Sequence, residues 1–203
     1  KIPGAVVAVV EDGDILFVKG WGYADVERQV PMSGQSTLIR PGSASKPITW
    51  TAVMQLVEQG RIDLHTDVNE YLDFAIDDSF AEPVTMHHLL THTAGFEAVE
   101  DDLFILDASS VPSLGEYVRG HRPVRLFAPG AVPGYSNYGT ALAAYIVERV
   151  SGEPFNDYLE ANIFGPLSMS RTTFRQPVPG NLASDVAQGY GGKDTFVRGD
   201  FEF

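Results

Sequence analysis

Apolar positions near the N-terminus predict a β-hairpin. Residues Gly4 to Val10 are almost all apolar and rich in β-branched side chains, which is typical of a strand buried on both faces. The turn-forming pair Asp12-Gly13 follows, and residues Ile15 to Tyr23 then predict a returning strand. We expect a loop from Ala24 to Ser36, because this stretch is polar and contains a proline and a glycine.

Three later segments have apolar residues at a helical period and predict amphipathic helices. They are Ser43 to Gln59, Ser136 to Val150, and Pro154 to Phe164. Prolines in the first turn of a helix do little harm, because the missing N–H has no intrahelical partner there. Gly60 fits the C-terminal cap of the first of these helices.

Shorter helices are expected between the first two long ones. Thr85 is a typical N-cap for a helix from Met86 to Thr91, which we expect Gly95 to end, and Leu114 to Val118 predicts another short helix. Residues Arg122 to Gly134 predict a loop, because they include three prolines and two glycines.

The size of the chain is that of one domain with room for a subdomain. It has 203 residues, and we expect a single domain over 1–203 with a mostly helical and loop subdomain over 61–135. Because the sequence begins at Lys1 rather than at a methionine, we expect an N-terminus that was trimmed, processed or excerpted.

Charge and composition exclude several function classes. The formal net charge of −13 argues against a nucleic-acid or anionic-membrane surface, which a basic patch would have to supply. No run approaches the ~18 apolar residues of a membrane span. Cysteine is absent, which removes disulfides, thiolate metal sites and a cysteine nucleophile. A cysteine-free chain suits a periplasmic, secreted or cytoplasmic environment, so the compartment stays open.

Ser43 and Lys46 are the first candidates for chemistry. They are three positions apart at the start of a predicted helix, and positions i and i+3 lie on the same helical face. A hydroxyl beside an amine gives a nucleophile with an adjacent base, the minimum for covalent catalysis. Backbone N–H groups at the helix start can also favour developing negative charge.

Tyr135 and Asn137 are the second candidates, at a predicted junction of loop and helix. A tyrosine hydroxyl can shuttle a proton when a nearby cation lowers its pKa. An asparagine amide can accept a hydrogen bond from a lysine and donate one to a substrate carbonyl. The competing interpretation is a helix N-cap at Ser136 beside a partly buried tyrosine.

Histidines and acidic residues suggest metal sites, but their patterns fit poorly. His88 and His92 are four apart, a spacing that can bind zinc, yet Leu89 stands where H-E-x-x-H needs glutamate. His87 adds to this cluster, for which we favour a structural role. The run Glu97 to Asp102 lacks the alternating ligands and glycine of a calcium loop, so we expect a solvated acidic face.

Several short motifs, taken together and in order, are similar to those of the serine β-lactamase and penicillin-binding protein superfamily. The chain most resembles its class C β-lactamase-like branch, from the Gly4 strand to about Thr173. The matching stretches are Gly42-Ser43-Ala44-Ser45-Lys46, Gln55 to Gly60, Leu89 to Gly95, Pro129-Gly130, Tyr135-Ser136-Asn137-Tyr138, and Ile163 to Met169.

The resemblance implies a fold and a role for each candidate. The fold would be α/β (α+β), an antiparallel sheet flanked by helices with a helical subdomain. Ser43 would be the nucleophile, and its backbone N–H would supply half of an oxyanion hole. Lys46 would accept or relay the proton, Tyr135 would act as base or acid, and Asn137 would orient Lys46 and the substrate amide. Neither a cofactor nor a metal is implied.

One part of the family pattern has no counterpart. The family has a later strand with Lys or His, then a residue such as Thr or Ser, then Gly, and Gly192-Lys193-Asp194-Thr195 does not match it. His92-Thr93-Ala94-Gly95 has the wrong spacing and order. We therefore expect these residues to be the N-terminal part of a longer domain, whose sheet is completed by a further segment or a second chain.

The function that follows is acyl transfer by a serine hydrolase. Such an enzyme would form an acyl-Ser43 intermediate on an amide, ester or thioester of a small molecule or peptide, for example a D-amino-acid peptide, a β-lactam or an ester. Two alternatives stay open: a peptide-cyclising thioesterase, and a non-catalytic relative that binds peptides or cell-wall fragments. A histidine-based metal protein is the third alternative.

Overall fold

The computed structural model describes residues 2–76, 79–98, 105, 107–191 and 197–199. The chain divides into two compact units. The first unit takes its residues from Lys1–Gly42, Phe104–Ala108 and Arg175–Phe203, and the second from Ser43–Leu103 and Ser109–Phe174. The predicted subdomain over 61–135 stays a prediction.

The first unit is built on antiparallel strands. Strand β1 (Gly4–Glu11) pairs with β2 (Asp14–Asp25), and β2 pairs with the short β3 (Val30–Pro31). A second pair joins β4 (Gly189–Gly191) and β5 (Val197–Gly199). The predicted hairpin is therefore present, but β3 lies inside the stretch expected to be loop, because its backbone continues the antiparallel ladder beside β2.

Strand β1 differs from its predicted burial. Its apolar run favoured a strand covered on both faces, yet Val7, Val9 and Val10 are 42%, 36% and 59% exposed. In the part of the chain that the structure describes, β1 pairs only with β2. Apolar composition expresses a preference for burial, but the elements packed on a sheet determine whether it is met. The expected completion of the sheet by a further segment or chain stays a prediction.

The second unit is built around helices. Its α-helices are α1 (Lys46–Glu58), α2 (Met86–Leu90), α3 (Leu114–Gly120), α4 (Asn137–Ser151) and α5 (Phe155–Leu159). Helix α5 continues as a π-helical segment, Glu160–Phe164, so the third predicted helix changes its hydrogen-bond pattern midway. Short 3₁₀ turns cover Gly42–Ser45, Val68–Glu70 and Ala108–Ser110, and α6 (Gly180–Ala183) belongs to the first unit. The predicted class, mixed α and β structure with antiparallel pairing, is confirmed.

Helix α4 is the centre of the core of the second unit. Helices α1, α2, α3 and α5 all pack against it. Its side chains Leu142 and Ile146 are fully buried, as are Leu56 from α1 and Leu159 from α5. Close packing of this kind fixes the relative positions of α1 and α4, and the N-terminal ends of these two helices carry the candidate residues.

Two helix ends show how the sequence determines the elements. Helix α4 begins as predicted, with Ser136 as the N-cap whose Oγ accepts a hydrogen bond from the Gly139 N–H at 2.9 Å. Helix α2 ends earlier than predicted, because Thr91 caps it and His92 takes a left-handed φ of +55°. Gly95 does not end the helix; it is required because an added Cβ would lie 2.0 Å from the Phe127 carbonyl oxygen.

Candidate active site

Local structure brings Ser43 and Lys46 together. Ser43 lies in the 3₁₀ turn, and Lys46 is the first residue of α1, with a proline at the tolerated early position. Their i, i+3 spacing places Lys46 Nζ 3.1 Å from Ser43 Oγ. The two side chains are therefore within hydrogen-bond distance, as their spacing predicted.

Tyr135 and Asn137 flank the N-cap of α4. Asn137 is the first residue of that helix, and Tyr135 comes just before the cap. Since α1 packs against α4, their N-terminal ends meet although they are distant in sequence. Asn137 Oδ1 accepts a hydrogen bond from Lys46 Nζ at 2.9 Å. The Tyr135 hydroxyl donates to Ser43 Oγ at 2.6 Å.

The four side chains form one connected hydrogen-bond network. Lys46 Nζ bridges Asn137 and Ser43, and it also lies 4.7 Å from the centre of the Tyr135 ring. Ser43 Oγ therefore has both an amine and a phenol within reach. Ser43 is exposed and Tyr135 is 54% exposed, so both residues are in contact with solvent.

The electrostatics of the network favour an acidic phenol. Partial burial raises the pKa of Tyr135, but the hydrogen bonds of its hydroxyl with Lys46 and Ser43, together with the Lys46 charge, outweigh burial. The pKa of Tyr135 therefore lies below its ordinary value. A nearby cation stabilises phenolate over phenol, which is the condition a tyrosine base needs.

His92 is a neighbour of the site that the sequence motifs did not assign to it. Its ring centre lies 4.6 Å from that of Tyr135, and its Nδ1 accepts a hydrogen bond from the Ser136 backbone N–H at 3.2 Å. The ring of Trp50, on α1, lies 6.0 Å away. Apart from its place in the motif Leu89 to Gly95, nothing in the sequence pointed to this contact.

The proposed zinc spacing of His88 and His92 does not produce a pair of ligands. Helix α2 ends at Leu90, so the two residues do not share a helical face. His88 Nδ1 lies 3.1 Å from the Thr85 backbone N–H, while His92 Nδ1 contacts Ser136. Among the described residues, no group of three or more His, Cys, Asp or Glu side chains could hold a metal. Most of the run Glu97 to Asp102 lies outside the described residues, as does the stretch 192–195.

Comparison with known proteins identifies the family. A family model described as beta-lactamase matches residues 1–200. The chain belongs to the beta-lactamase family. This membership confirms the resemblance seen in the motifs.

The chain is also similar to individual proteins, among them an esterase and several proteins of known structure. Esterase EstB of Burkholderia gladioli is 35% identical over 197 residues, which cover 90% of this chain and 50% of the esterase. A protein described as an octameric penicillin-binding protein homologue, from Pyrococcus abyssi, matches with a TM-score of 0.83 and 31% identity, over 98% of this chain and 47% of that one.

A class C beta-lactamase from Rhodobacter sphaeroides matches with a TM-score of 0.77 and 29% identity, over 97% of this chain and 52% of that one. The beta-lactamase-like fold is therefore confirmed. The chain spans about half the length of these three relatives. Among the described residues, no helix has the length and apolar character that a membrane crossing needs.

Proposed function

We propose that this member of the beta-lactamase family is a serine hydrolase or acyltransferase in which Ser43 is the nucleophile. The observation that carries the proposal is the position of Ser43 Oγ, 3.1 Å from Lys46 Nζ and 2.6 Å from the Tyr135 hydroxyl. A nucleophile with two proton-handling groups in reach is the arrangement that covalent acyl transfer requires.

Tyr135 is proposed as the base. Lys46 directs hydrogen bonds at both Ser43 Oγ and Asn137 Oδ1, which is the pattern of an ammonium donor. The same cation contributes to the lowered pKa of Tyr135, so a larger share of phenolate is present at a given pH than for an ordinary tyrosine. Asn137 then serves to hold Lys46, and its amide nitrogen remains to be offered to a substrate carbonyl or amide oxygen.

The reaction follows from these roles. The Tyr135 phenolate takes the Ser43 hydroxyl proton as Oγ bonds to the substrate carbonyl carbon. The tetrahedral adduct collapses when its bond to the leaving group breaks, and Tyr135 returns the proton to the departing oxygen, nitrogen or sulfur. Water or another acceptor, deprotonated by Tyr135, then attacks the carbonyl carbon of the acyl-Ser43 ester. The bond from that carbon to Ser43 Oγ breaks, Tyr135 returns the proton to Oγ, and the acyl product leaves. The Ser43 backbone N–H is proposed as one donor to the oxyanion.

An ester or an amide is the proposed substrate. Support comes from the relatives, which include a named esterase and a named class C beta-lactamase. A solved relative at 27% identity carries the description of a D-amino acid amidase. All three chemistries proceed by attack on a carbonyl carbon, and a small activated ester such as p-nitrophenyl butyrate reports on that shared step.

A comparison of two serine variants tests the proposal. Ser43→Ala should abolish hydrolysis of p-nitrophenyl butyrate, while Ser45→Ala, from the same turn, should retain it. Because Ser43 is exposed, its variant should unfold at nearly the wild-type temperature. Equal hydrolysis by the wild type and a folded Ser43→Ala protein would contradict the proposal. Saturable binding of a peptide or cell-wall fragment without any turnover would favour the non-catalytic alternative.

A further inference from the structure

We propose that His92 is a positioning residue that holds Tyr135 against Ser43. The inference rests on the proposed function, since it assigns His92 a part in that site. His92 takes φ +55°, in the left-handed region where an ordinary side chain is strained. Glycine adopts this conformation without strain, so a histidine here carries a conformational cost.

His92 contacts the backbone on both sides of Tyr135. Its carbonyl oxygen accepts the Gly134 N–H at 2.7 Å, and its ring Nδ1 accepts the Ser136 N–H at 3.2 Å. Between these two bonds, its ring lies 4.6 Å from the Tyr135 ring at an interplanar angle of 35°. One residue therefore fixes the backbone and one side of the side chain of Tyr135.

The left-handed turn is what allows both bonds. Helix α2 ends at Leu90, and the His92 N–H bonds to the Leu89 carbonyl at 3.2 Å while the Thr93 N–H bonds to the His88 carbonyl at 2.8 Å. These bonds fix the His92 backbone at the end of the helix. Its carbonyl and its ring are thereby both directed at the segment before α4.

The His92 ring must be neutral to accept the hydrogen bond from the Ser136 N–H. A backbone N–H can only donate, so Nδ1 carries no proton and the proton of the neutral ring sits on Nε2. Burial lowers the pKa of His92, and the Lys46 charge lowers it further. Both effects keep His92 Nδ1 unprotonated, so it can accept the hydrogen bond from the Ser136 N–H. Two ionisable groups, Lys46 and Tyr135, lie close to the ring, and a further aromatic neighbour, Trp50, does not ionise.

Such support matters because the contacts of Tyr135 with Ser43 and Lys46 depend on the position of its ring. Tyr135 is 54% exposed, and its hydroxyl must stay 2.6 Å from Ser43 Oγ while the ring stays 4.7 Å from Lys46 Nζ. A displacement of about 1 Å at such a group can lower a rate by about 100-fold. Without the His92 ring, the phenol would sample positions away from both partners.

Two variants separate the two contacts of the ring. His92→Asn keeps a short acceptor and tolerates the left-handed backbone but removes the stacked ring, whereas His92→Phe keeps a ring and removes the acceptor. His87→Asn, at an exposed histidine of α2, is the matched control. We expect both His92 variants to lower kcat for p-nitrophenyl butyrate by about 10- to 100-fold with little change in KM, and the control to match the wild type.

A second measurement does not depend on turnover. Ultraviolet titration of tyrosinate, compared in each background with and without Tyr135→Phe, reports the pKa of Tyr135. That pKa should rise in the His92 variants, because the phenol is no longer held near Lys46, and it should stay unchanged in His87→Asn. Folded His92 variants with wild-type kcat and an unchanged Tyr135 pKa would overturn the inference. A wild-type protein without esterase activity, whose Tyr135 pKa nevertheless responds to His92, would instead count against the proposed function alone.

Discussion

The hydroxyl oxygens of Tyr135 and Ser43 lie 2.6 Å apart although the two residues are 92 positions apart in the sequence. Packing of α1 against α4 produces this contact, because Ser43 lies in the 3₁₀ turn that leads into α1 and Tyr135 immediately precedes the N-cap of α4. The proposed chemistry depends on it, since a proton can pass directly between the two oxygens.

Loss of the Tyr135 hydroxyl alone should slow the reaction while leaving the fold intact. Tyr135→Phe keeps the ring that contacts His92 and removes the proposed base. We expect kcat/KM to fall by about 10²- to 10⁴-fold. The thermal unfolding midpoint should stay near that of the wild type, because the side chain is half exposed. Steady-state kinetics and a melting curve check both parts, and unchanged kcat/KM would remove Tyr135 from the mechanism.

Removal of the Lys46 charge should move the pH profile. That cation helps to keep the pKa of Tyr135 low, so in Lys46→Met the pKa rises and less phenolate is present at a given pH. The ascending limb of kcat/KM against pH should therefore shift to higher pH, with lower activity near neutrality. If the ascending limb of kcat/KM stays at the same pH in Lys46→Met, the ionisation of Tyr135 does not determine that limb.

Lys19→Met is the matched control for this change of charge. Lys19 is an exposed residue of β2, and its Nζ lies over the Trp21 ring. Lys19→Met removes the same charge as Lys46→Met, but it leaves the contact between Lys46 and Tyr135 in place. We expect the wild-type pH profile, and an equal shift in both variants would point to net charge rather than to the local effect of Lys46.

Sequence reasoning identified the candidate side chains but could not supply their distances. The spacing of Ser43 and Lys46 predicts a contact, because it is local to one helix start. The meeting of that pair with Tyr135 and Asn137 depends on helix packing, which no local pattern encodes, and only the resemblance suggested it. The catalytic roles of these four residues stay predictions, to be tested by the variants described here.

Where the sequence misled, tertiary context was the reason. The apolar run of β1 predicted burial on both faces, but Val7, Val9 and Val10 are exposed in the part of the chain that the structure describes. Gly95 was expected to end α2, yet His92 provides the left-handed residue there. A left-handed histidine goes against the usual preference for glycine, so a pattern based on propensity could not find it.

Gly95 instead allows a close approach of the backbone, and its replacement should change the stability of the protein. Its φ is +81°, and an added Cβ would meet the Phe127 carbonyl oxygen at 2.0 Å. Gly95→Ala should therefore lower the free energy of unfolding by more than about 1 kcal/mol in a denaturant titration. At Gly120, the last residue of α3, an added Cβ meets open space, so Gly120→Ala should be neutral or stabilising. Equal stability of the two variants would contradict the observed packing.

The most direct test of the central claim is to find which residue becomes covalently modified. The purified protein would be treated with a fluorophosphonate, which phosphonylates an activated serine and releases fluoride, and then digested for peptide mapping by mass spectrometry. The account predicts a single adduct on Ser43, formed more slowly in Tyr135→Phe and absent from Ser43→Ala. An unmodified Ser43 in folded wild-type protein, or an adduct on another serine such as Ser45, would contradict it.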